Sequence, residues 1–428
     1  MLIAASLSLG VFSPFMEVQS ARPSAQGFVG SLAMDGLGLF VLLVAVVVSL
    51  MGLWGSLGRP GITSYVLQVF LFIGAVFLMV SSTNLLLFFV LWEIVVVISW
   101  SLGRRGGLHS YPALGPLPMQ GIGGIATICM LGALMYIAVD GRTLSMAPIQ
   151  GAGGSFIAIL VLAAVFLKTY GLLTLMWLPS EPRVSGISNA LLIGGSIVAV
   201  GVYPYVRVFW TILGGQEMWR GMALPVSLAV GAVAAVIALG EHDARRLISY
   251  GAFSQFAWFL AAFAMYEPEQ AGALFLSLAT CLLAMSGLCM LLGIAESMSG
   301  ERDLRRLGGL IGAAPLVSVL FLLLVVAAVG LPPFAGFVGR LIVELPLLTQ
   351  GNLATTLVLF GLTVTTFLYL LRLFGGMFLG ELRRPTAEVR GMSEYLVVST
   401  LLVALLAIGL TSPVLVEWVQ VGLAMPFG

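Results

Sequence analysis

Long apolar stretches separated by short polar punctuation run through the whole chain. Each stretch holds about twenty residues, enough to cross roughly 30 Å of hydrocarbon as a helix. The pattern predicts about thirteen helices, over 1–16, 34–53, 63–81, 84–102, 120–139, 155–178, 186–212, 221–239, 246–266, 271–295, 311–345, 354–380 and 394–422. A transmembrane barrel would instead show ten-residue alternating segments, and none are visible. The connections are short, so the expectation is one all-α polytopic membrane domain over 1–428 with no soluble part. Span 311–345 is too long for one straight crossing and carries "GLPPFAGFVG" at its middle. Pro332, Pro333 and Gly336 are expected to break the helix there. The carbonyls freed by such a break are tolerated at membrane depth only against protein or a wet cavity.

Composition agrees with the pattern. The chain is 60% hydrophobic and 9% charged, with mean hydropathy +1.12. A soluble domain carries roughly a quarter charged residues. Cys129, Cys281 and Cys289 lie in apolar helices without metal-ligand spacing and read as small packing residues. His109 and His242 are too few for a haem or multi-histidine centre. No metal or flavin motif is visible, so neither a cofactor nor a redox or hydrolytic site of its own is expected. The net charge of +1 says nothing about partners, and nothing points to nucleic acid. Residues 1–16 lack the basic start and small-residue site of a cleaved signal peptide.

The basic residues orient the spans. Arg59, Arg104, Arg105, Arg183, Arg245, Arg246, Arg302, Arg305, Arg306, Arg383, Arg384 and Arg390 fall in alternate loops. The opposite loops hold only Arg22, Arg142 and Arg220. This bias places the arginine-rich side, and the N-terminus with it, in the cytoplasm. The arginine-rich loops are plausible contacts for anionic lipid, though no motif identifies one.

Few ionisable groups lie inside the spans. Lys168, in "AAVFLKTYGLLTLMWLPSEP", is the chain's one lysine and sits in an apolar run. Glu93, in "NLLLFFVLWEIVVVISWSL", lies at similar depth with opposite sign, which predicts a Glu93–Lys168 ion pair. An unpaired charge there costs at least ~2.5–3.5 kcal/mol on insertion scales, so such groups pair or line a hydrated path. Arg340 and Glu344, four residues apart after the predicted break, share a helix face. Arg207 and Arg372 lie nearer span ends, where snorkelling accounts for them. A buried pair can simply fix helix register. Beside a broken helix and further buried charge, a relay of titratable groups for protons or cations is the sharper reading.

Seven stretches, in order, resemble one family: the antiporter-like subunits of respiratory complex I, of Mrp cation/proton antiporters and of membrane-bound hydrogenases. "MDGLGLFVLLV" resembles the entry to the family's third helix, and "LLLFFVLWEIVVVISWSLGRR" the fifth, whose glutamate is Glu93. "FLKTYGLLTLMWLP" resembles the seventh helix, with its lysine at Lys168, and "VSGISNALLIGGSIVAVGVYPYVR" the eighth. "EHDARRLISYGAFSQFAWFL" is similar to the family's "DlKRllAYSSvsqmGyil", "GLPPFAGFVGRLIVE" to the broken twelfth helix, and "FLYLLRLF" to the thirteenth.

The resemblance implies two inverted five-helix repeats, here 63–212 and 221–380, after N-terminal helices in 1–62 and before a C-terminal helix at 394–422. It implies a half-channel in each repeat, with Glu93 and Lys168 in the first and Arg340 at the second's lysine position. Members usually have fourteen helices, and this chain is expected to lack the first. The sequence also departs from the pattern. Ala199 stands near an eighth-helix lysine, Leu173 and Leu175 replace a Pro-x-His, and "SLATCLLAMSGLCMLLGI" lacks the eleventh helix's histidine or lysine. The expected relay is therefore Glu93, Lys168, His242, Glu241, Arg340 and Glu344. Arginine, with an intrinsic pKa above ~12, is a poor proton donor, which leaves Lys168 as the best switch.

The function expected from this resemblance is proton or sodium translocation within a multi-subunit, redox-driven complex in a bacterial or archaeal inner membrane. Other membrane subunits and the bilayer are the expected partners. A non-conducting scaffold and a proton-path subunit of an inorganic-carbon uptake system stand as alternatives.

Overall fold

The structure is a computed structural model that describes residues 32–57, 62–104, 117–139, 144, 155–172, 190, 192–208, 217–265, 270–382 and 392–424. The predicted span 1–16 lies outside these residues, as do Leu173, Leu175 and His109.

The described chain is helical nearly throughout. Helices α1 (Gly36–Gly55), α2 (Ile62–Ser81), α3 (Leu85–Arg104) and α4 (Leu117–Val139) follow the predicted spans within a few residues, and α5 (Ser155–Phe166) opens the span predicted over 155–178. Helix α5 runs directly into a π-helical turn, Leu167–Leu172, and a second π-helical segment, Leu192–Val202, leads into the short α6 (Tyr203–Val206). Then come α7 (Glu217–Gly240), α8 (Ala244–Met265), α9 (Ala271–Ser299), α10 (Leu310–Ala313), α11 (Pro315–Val329) and α12 (Gly336–Thr349). Last are α13 (Leu353–Phe378), α14 (Met392–Leu410) and α15 (Ser412–Ala424). The span expected as one helix over 394–422 is therefore two, parted at Thr411, where Ser412 and Pro413 follow. Proline fits the first turn of a new helix and not the interior of an old one.

Short polar side chains start the spans. Asp35 Oδ1 accepts from the Gly38 N–H at 2.8 Å and caps α1. Asn84 Oδ1 takes the N–H groups of Leu86 and Leu87 at the head of α3. Asp243 Oδ1 does the same for Arg245 and Arg246 at the head of α8. Each side chain satisfies first-turn donors that have no partner within the helix.

Two helices form the centre. The apolar stretch of α8 is 94% buried and that of α9 is 89%, against 33% for α2, α7 and α14. Helix α9 packs on α8, α11, α12, α14, α15, α1 and the second π segment. The outer helices turn one apolar face outward: Leu67, Phe70, Val97, Ile128, Val236 and Leu357 are all exposed. Seven described helices are long and apolar enough to cross a membrane. Apolar surface of that extent marks an integral membrane protein, with lipid or neighbouring helices as its solvent.

The expected break in 311–345 is present. Helix α11 stops at Gly330, whose φ of +77° only glycine adopts without strain. The Leu331 N–H reaches Val326 O and the Gly330 N–H reaches Ala327 O, both at 3.1 Å, the double bond of a Schellman cap. Residues 331–335 carry Pro332 and Pro333, joined by a cis bond, into α12 at Gly336. The neighbouring α9 supplies donors to the break: Ser277 Oγ to Gly336 O at 3.0 Å and Cys281 Sγ to Ala328 O at 3.6 Å. Gly339 permits that approach, since a Cβ there would collide with the Ser277 side chain and stand 2.8 Å from Ala273 O.

Candidate functional site: two buried cation centres

The first centre joins α3 to the π-helical turn after α5. Nine residues into α3, Glu93 Oε1 accepts from Lys168 Nζ and, at 2.9 Å, from Thr127 Oγ1 of α4. The Lys168 side chain is 2% exposed and that of Glu93 32%, so the carboxylate is the open member of the pair. The ammonium lies 4.9 Å from the Trp92 ring centroid and 5.7 Å from that of Phe89. A cation on an aromatic face in a desolvated site gains about 2 kcal/mol. Trp92 is itself fixed, because its indole N–H donates to Val200 O at 3.1 Å. Val200 belongs to the second π segment, so one tryptophan ties the cation to both π-helical stretches. Such stretches are infrequent and concentrate at functional sites.

The second centre joins α8, α12 and α13. Arg340 is 5% exposed. Its guanidinium donates to the carboxamide oxygen of Gln255 and, at 2.5 Å, to Thr363 Oγ1. It lies 4.7 Å from the Trp258 ring centroid. The Gln255 amide nitrogen donates to Thr366 Oγ1, so the acceptor is oriented from behind. Glu344 follows one turn after Arg340 on α12 and forms no ion pair with it. Arg340 Nε, Trp258 Nε1 and Glu344 Oε1 are all buried without a hydrogen bond. The indole N–H faces the Glu344 carboxylate but outside good bonding geometry.

Other expected members of the relay lie elsewhere. Glu241 and His242 occupy the loop between α7 and α8, where Glu241 Oε1 accepts the His242 and Asp243 N–H groups. Eleven residues of α8 separate that loop from Gln255, about 16 Å along a helix axis. The structure thus brings Glu93 to Lys168 and Arg340 near Glu344, and leaves Glu241 and His242 at the rim. Pro332 and Pro333 are exposed and Gly336 is buried at the break beside the second centre.

One arginine corrects the expectation of snorkelling. Arg207 is 8% exposed and pairs with Asp35 Oδ2 at 2.5 Å, while its Nε donates to Tyr203 Oη at 3.1 Å. One carboxylate therefore caps α1 and neutralises a buried guanidinium. Arg372 donates to the carbonyls of Leu239 and Glu241, closing the C-terminus of α7, where the helix dipole favours a cation. Arg245, counted among the loop arginines, pairs with Glu296 of α9, its Nε at 2.6 Å from Oε1.

Asp35, Thr127, Gln255, Trp258 and Thr363 are not among the site residues that the sequence led us to expect. A signal existed for some. Asp35 stands directly before an apolar run, where a cap belongs, and Gln255 is the one amide in the α8 span. Thr363 and Thr366 recur at helical spacing in "LTVTTF". Neither spacing reveals which cation they serve.

Known proteins share both the sequence and the fold. The chain is 25% identical over 380 residues to a protein of Rhizobium meliloti described as part of a probable K(+)/H(+) antiporter, covering 84% of this chain and 37% of that protein. It is 27% identical over 341 residues to NAD(P)H-quinone oxidoreductase chain 4 1 of a Synechococcus species, covering 77% and 64%. The chain thus spans less than two thirds of either curated relative. One chain of the Mrp complex of Dietzia sp. DQ12-45-1b superposes with a TM-score of 0.80 at 20% identity, over 92% of this chain and 84% of that one. At that identity the likeness shows the fold. Residues 81–368, more than half of the chain, match the transmembrane family described as NADH:quinone oxidoreductase/Mrp antiporter, and the chain belongs to that family.

Proposed function

We propose that this chain is an ion-translocating, antiporter-like subunit of a multi-subunit membrane complex of the Mrp or quinone-oxidoreductase kind. Its ion is the proton, with sodium as the alternative. The observation that carries the reading is the Lys168–Glu93 pair, a buried ammonium bonded to a more open carboxylate at a π-helical turn. Transfer of one proton from Nζ to Oε1 converts the ion pair into a neutral amine and a neutral acid. That change removes two buried charges that desolvation opposes, while the Trp92 and Phe89 faces and the Thr127 hydroxyl favour the charged pair. The neutral acid can lose its proton on its open side, and the amine can regain one from elsewhere. Lysine suits this role where arginine would not, because an ammonium can release its proton and a guanidinium effectively cannot.

In the same proposal, residues 63–212 and 221–380 form two inverted repeats, with Glu93 and Lys168 in the first and Arg340 and Glu344 in the second. The N-terminus is cytoplasmic, on the arginine-rich side, and the membrane is a bacterial or archaeal inner membrane. Other membrane subunits supply the redox or antiport chemistry that drives the ion. A second reading, a scaffold that docks neighbours without conducting, is favoured by Gln255, a neutral amide where a relay needs a titratable group.

The test is transport by the purified complex in proteoliposomes. Glu93→Gln and Lys168→Ala are each expected to lower ion flux at least tenfold while the composition of the complex stays unchanged. Full flux in both variants removes the conducting role and leaves the scaffold.

A further inference from the structure

The two buried cations have opposite kinds of partner. Lys168 faces a carboxylate and Arg340 a carboxamide, though each lies on a tryptophan ring and each partner is bonded by a threonine. The first centre can be neutralised by one proton. The second holds a guanidinium that keeps its proton, facing an amide that has none to exchange.

The acceptors around Arg340 are already engaged. Gln255 Oε1 and Thr363 Oγ1 take its N–H groups, and Thr366 Oγ1 takes the Gln255 amide. The hydroxyl protons of Thr363 and Thr366 go to Leu359 O and Leu362 O. Tyr369 Oη donates to Gly251 O, Cys281 Sγ to Ala328 O, and Ser277 Oγ to Gly336 O. Two N–H donors, Arg340 Nε and Trp258 Nε1, remain without an acceptor. Among the buried side-chain oxygens around Arg340, only Glu344 Oε1 has no donor.

A dehydrated metal cation needs several oxygen ligands at once and a field that is not positive, and arginines in narrow pores repel cations. This centre offers only the Glu344 carboxylate, and with Glu344 ionised its net charge is zero; with Glu344 protonated it is positive. A proton needs only a single acceptor, which Glu344 provides.

The geometry points to Arg340 as a fixed-charge filter, faced by the neutral Gln255 amide and balanced by Glu344 alone, that keeps sodium and potassium out of the second centre and leaves the proton as the transported ion. Arg340 and Gln255 are thus specificity-determining residues, and their role rests on the ion-translocation reading above.

The filter is tested in proteoliposomes holding the purified complex, by measuring ²²Na⁺ uptake and proton flux side by side. The wild type is expected to move protons with ²²Na⁺ uptake at the level of empty liposomes. Arg340→Gln and Gln255→Glu each lower the charge of the centre by one through a different residue. Each is expected to raise the ratio of sodium to proton flux at least tenfold, while Arg340→Lys leaves that ratio low. Sodium uptake by the wild type comparable to its proton flux overturns the filter and leaves the translocation reading standing. An unchanged ratio in both charge-lowering variants overturns it as well. Absence of any flux in the wild type overturns the translocation reading and the filter together.

Discussion

Trp92 holds Lys168 from beneath: the ammonium lies 4.9 Å from the indole centroid, and the same indole donates its N–H to Val200 O across the fold. One side chain thereby performs two separable tasks. Trp92→Phe keeps an aromatic face and loses the hydrogen bond, and a buried carbonyl left without its donor costs about 1–3 kcal/mol. Trp92→Leu loses the face too, for about 2 kcal/mol more. Denaturant unfolding of the detergent-solubilised chain is expected to rank wild type above Phe above Leu. In a Lys168→Met background the gap between Phe and Leu should shrink to the difference in packing alone, because no cation remains to be held.

Gly330 is fixed twice, by conformation and by space. Its φ is +77°, and a Cβ there would stand 2.5 Å from Arg340 Nε and 3.0 Å from Gly336 O. Gly330→Ala is expected to destabilise the chain by about 1–3 kcal/mol through backbone strain and displacement of the guanidinium. Gly312→Ala serves as the control, since nothing lies within 4 Å of its Cβ position and its φ is ordinary. That change should be neutral or slightly stabilising. Equal melting temperatures for the two variants would show that the break does not depend on Gly330.

Asp35→Asn isolates the buried pair from the cap. Asparagine can still accept from the Gly38 N–H, so α1 keeps its start, but Arg207 loses its counter-charge. Leaving a buried guanidinium unpaired costs about 3–5 kcal/mol. Adding Arg207→Met, which removes the stranded charge, should recover most of that loss. A double-mutant cycle of unfolding free energies measures both, and a loss under about 1 kcal/mol for Asp35→Asn alone would mean the pair is well solvated.

Much of this was legible in the sequence. Apolar runs located most of the described helices within a few residues, because a helix in lipid must be both long and apolar. Glu93 and Lys168 could be matched because few other charges share their depth. Pro332 and Pro333 announced the break, while the positive φ that ends α11 falls on Gly330, one of many glycines in the chain. What remained hidden was pairing across distant segments. Asp35 and Arg207 lie far apart in the chain, and no periodicity within one helix encodes a partner in another. Gln255 shows the same limit from the other side: an uncharged amide in an apolar span looks like a packing residue until Arg340 is seen against it.

The switch assigned to Lys168 can be separated from a mere structural ion pair by one substitution. Lys168→Arg keeps a cation opposite Glu93 and on the Trp92 face, but the guanidinium does not release its proton near neutral pH. The measurement is proton flux by the reconstituted complex, on preparations whose composition matches the wild type. If Lys168 passes protons, the Arg variant assembles normally and its flux falls at least tenfold, as far as in Lys168→Ala. Wild-type flux through the Arg variant would contradict that role and reduce the pair to a clamp between α3 and the π-helical turn after α5.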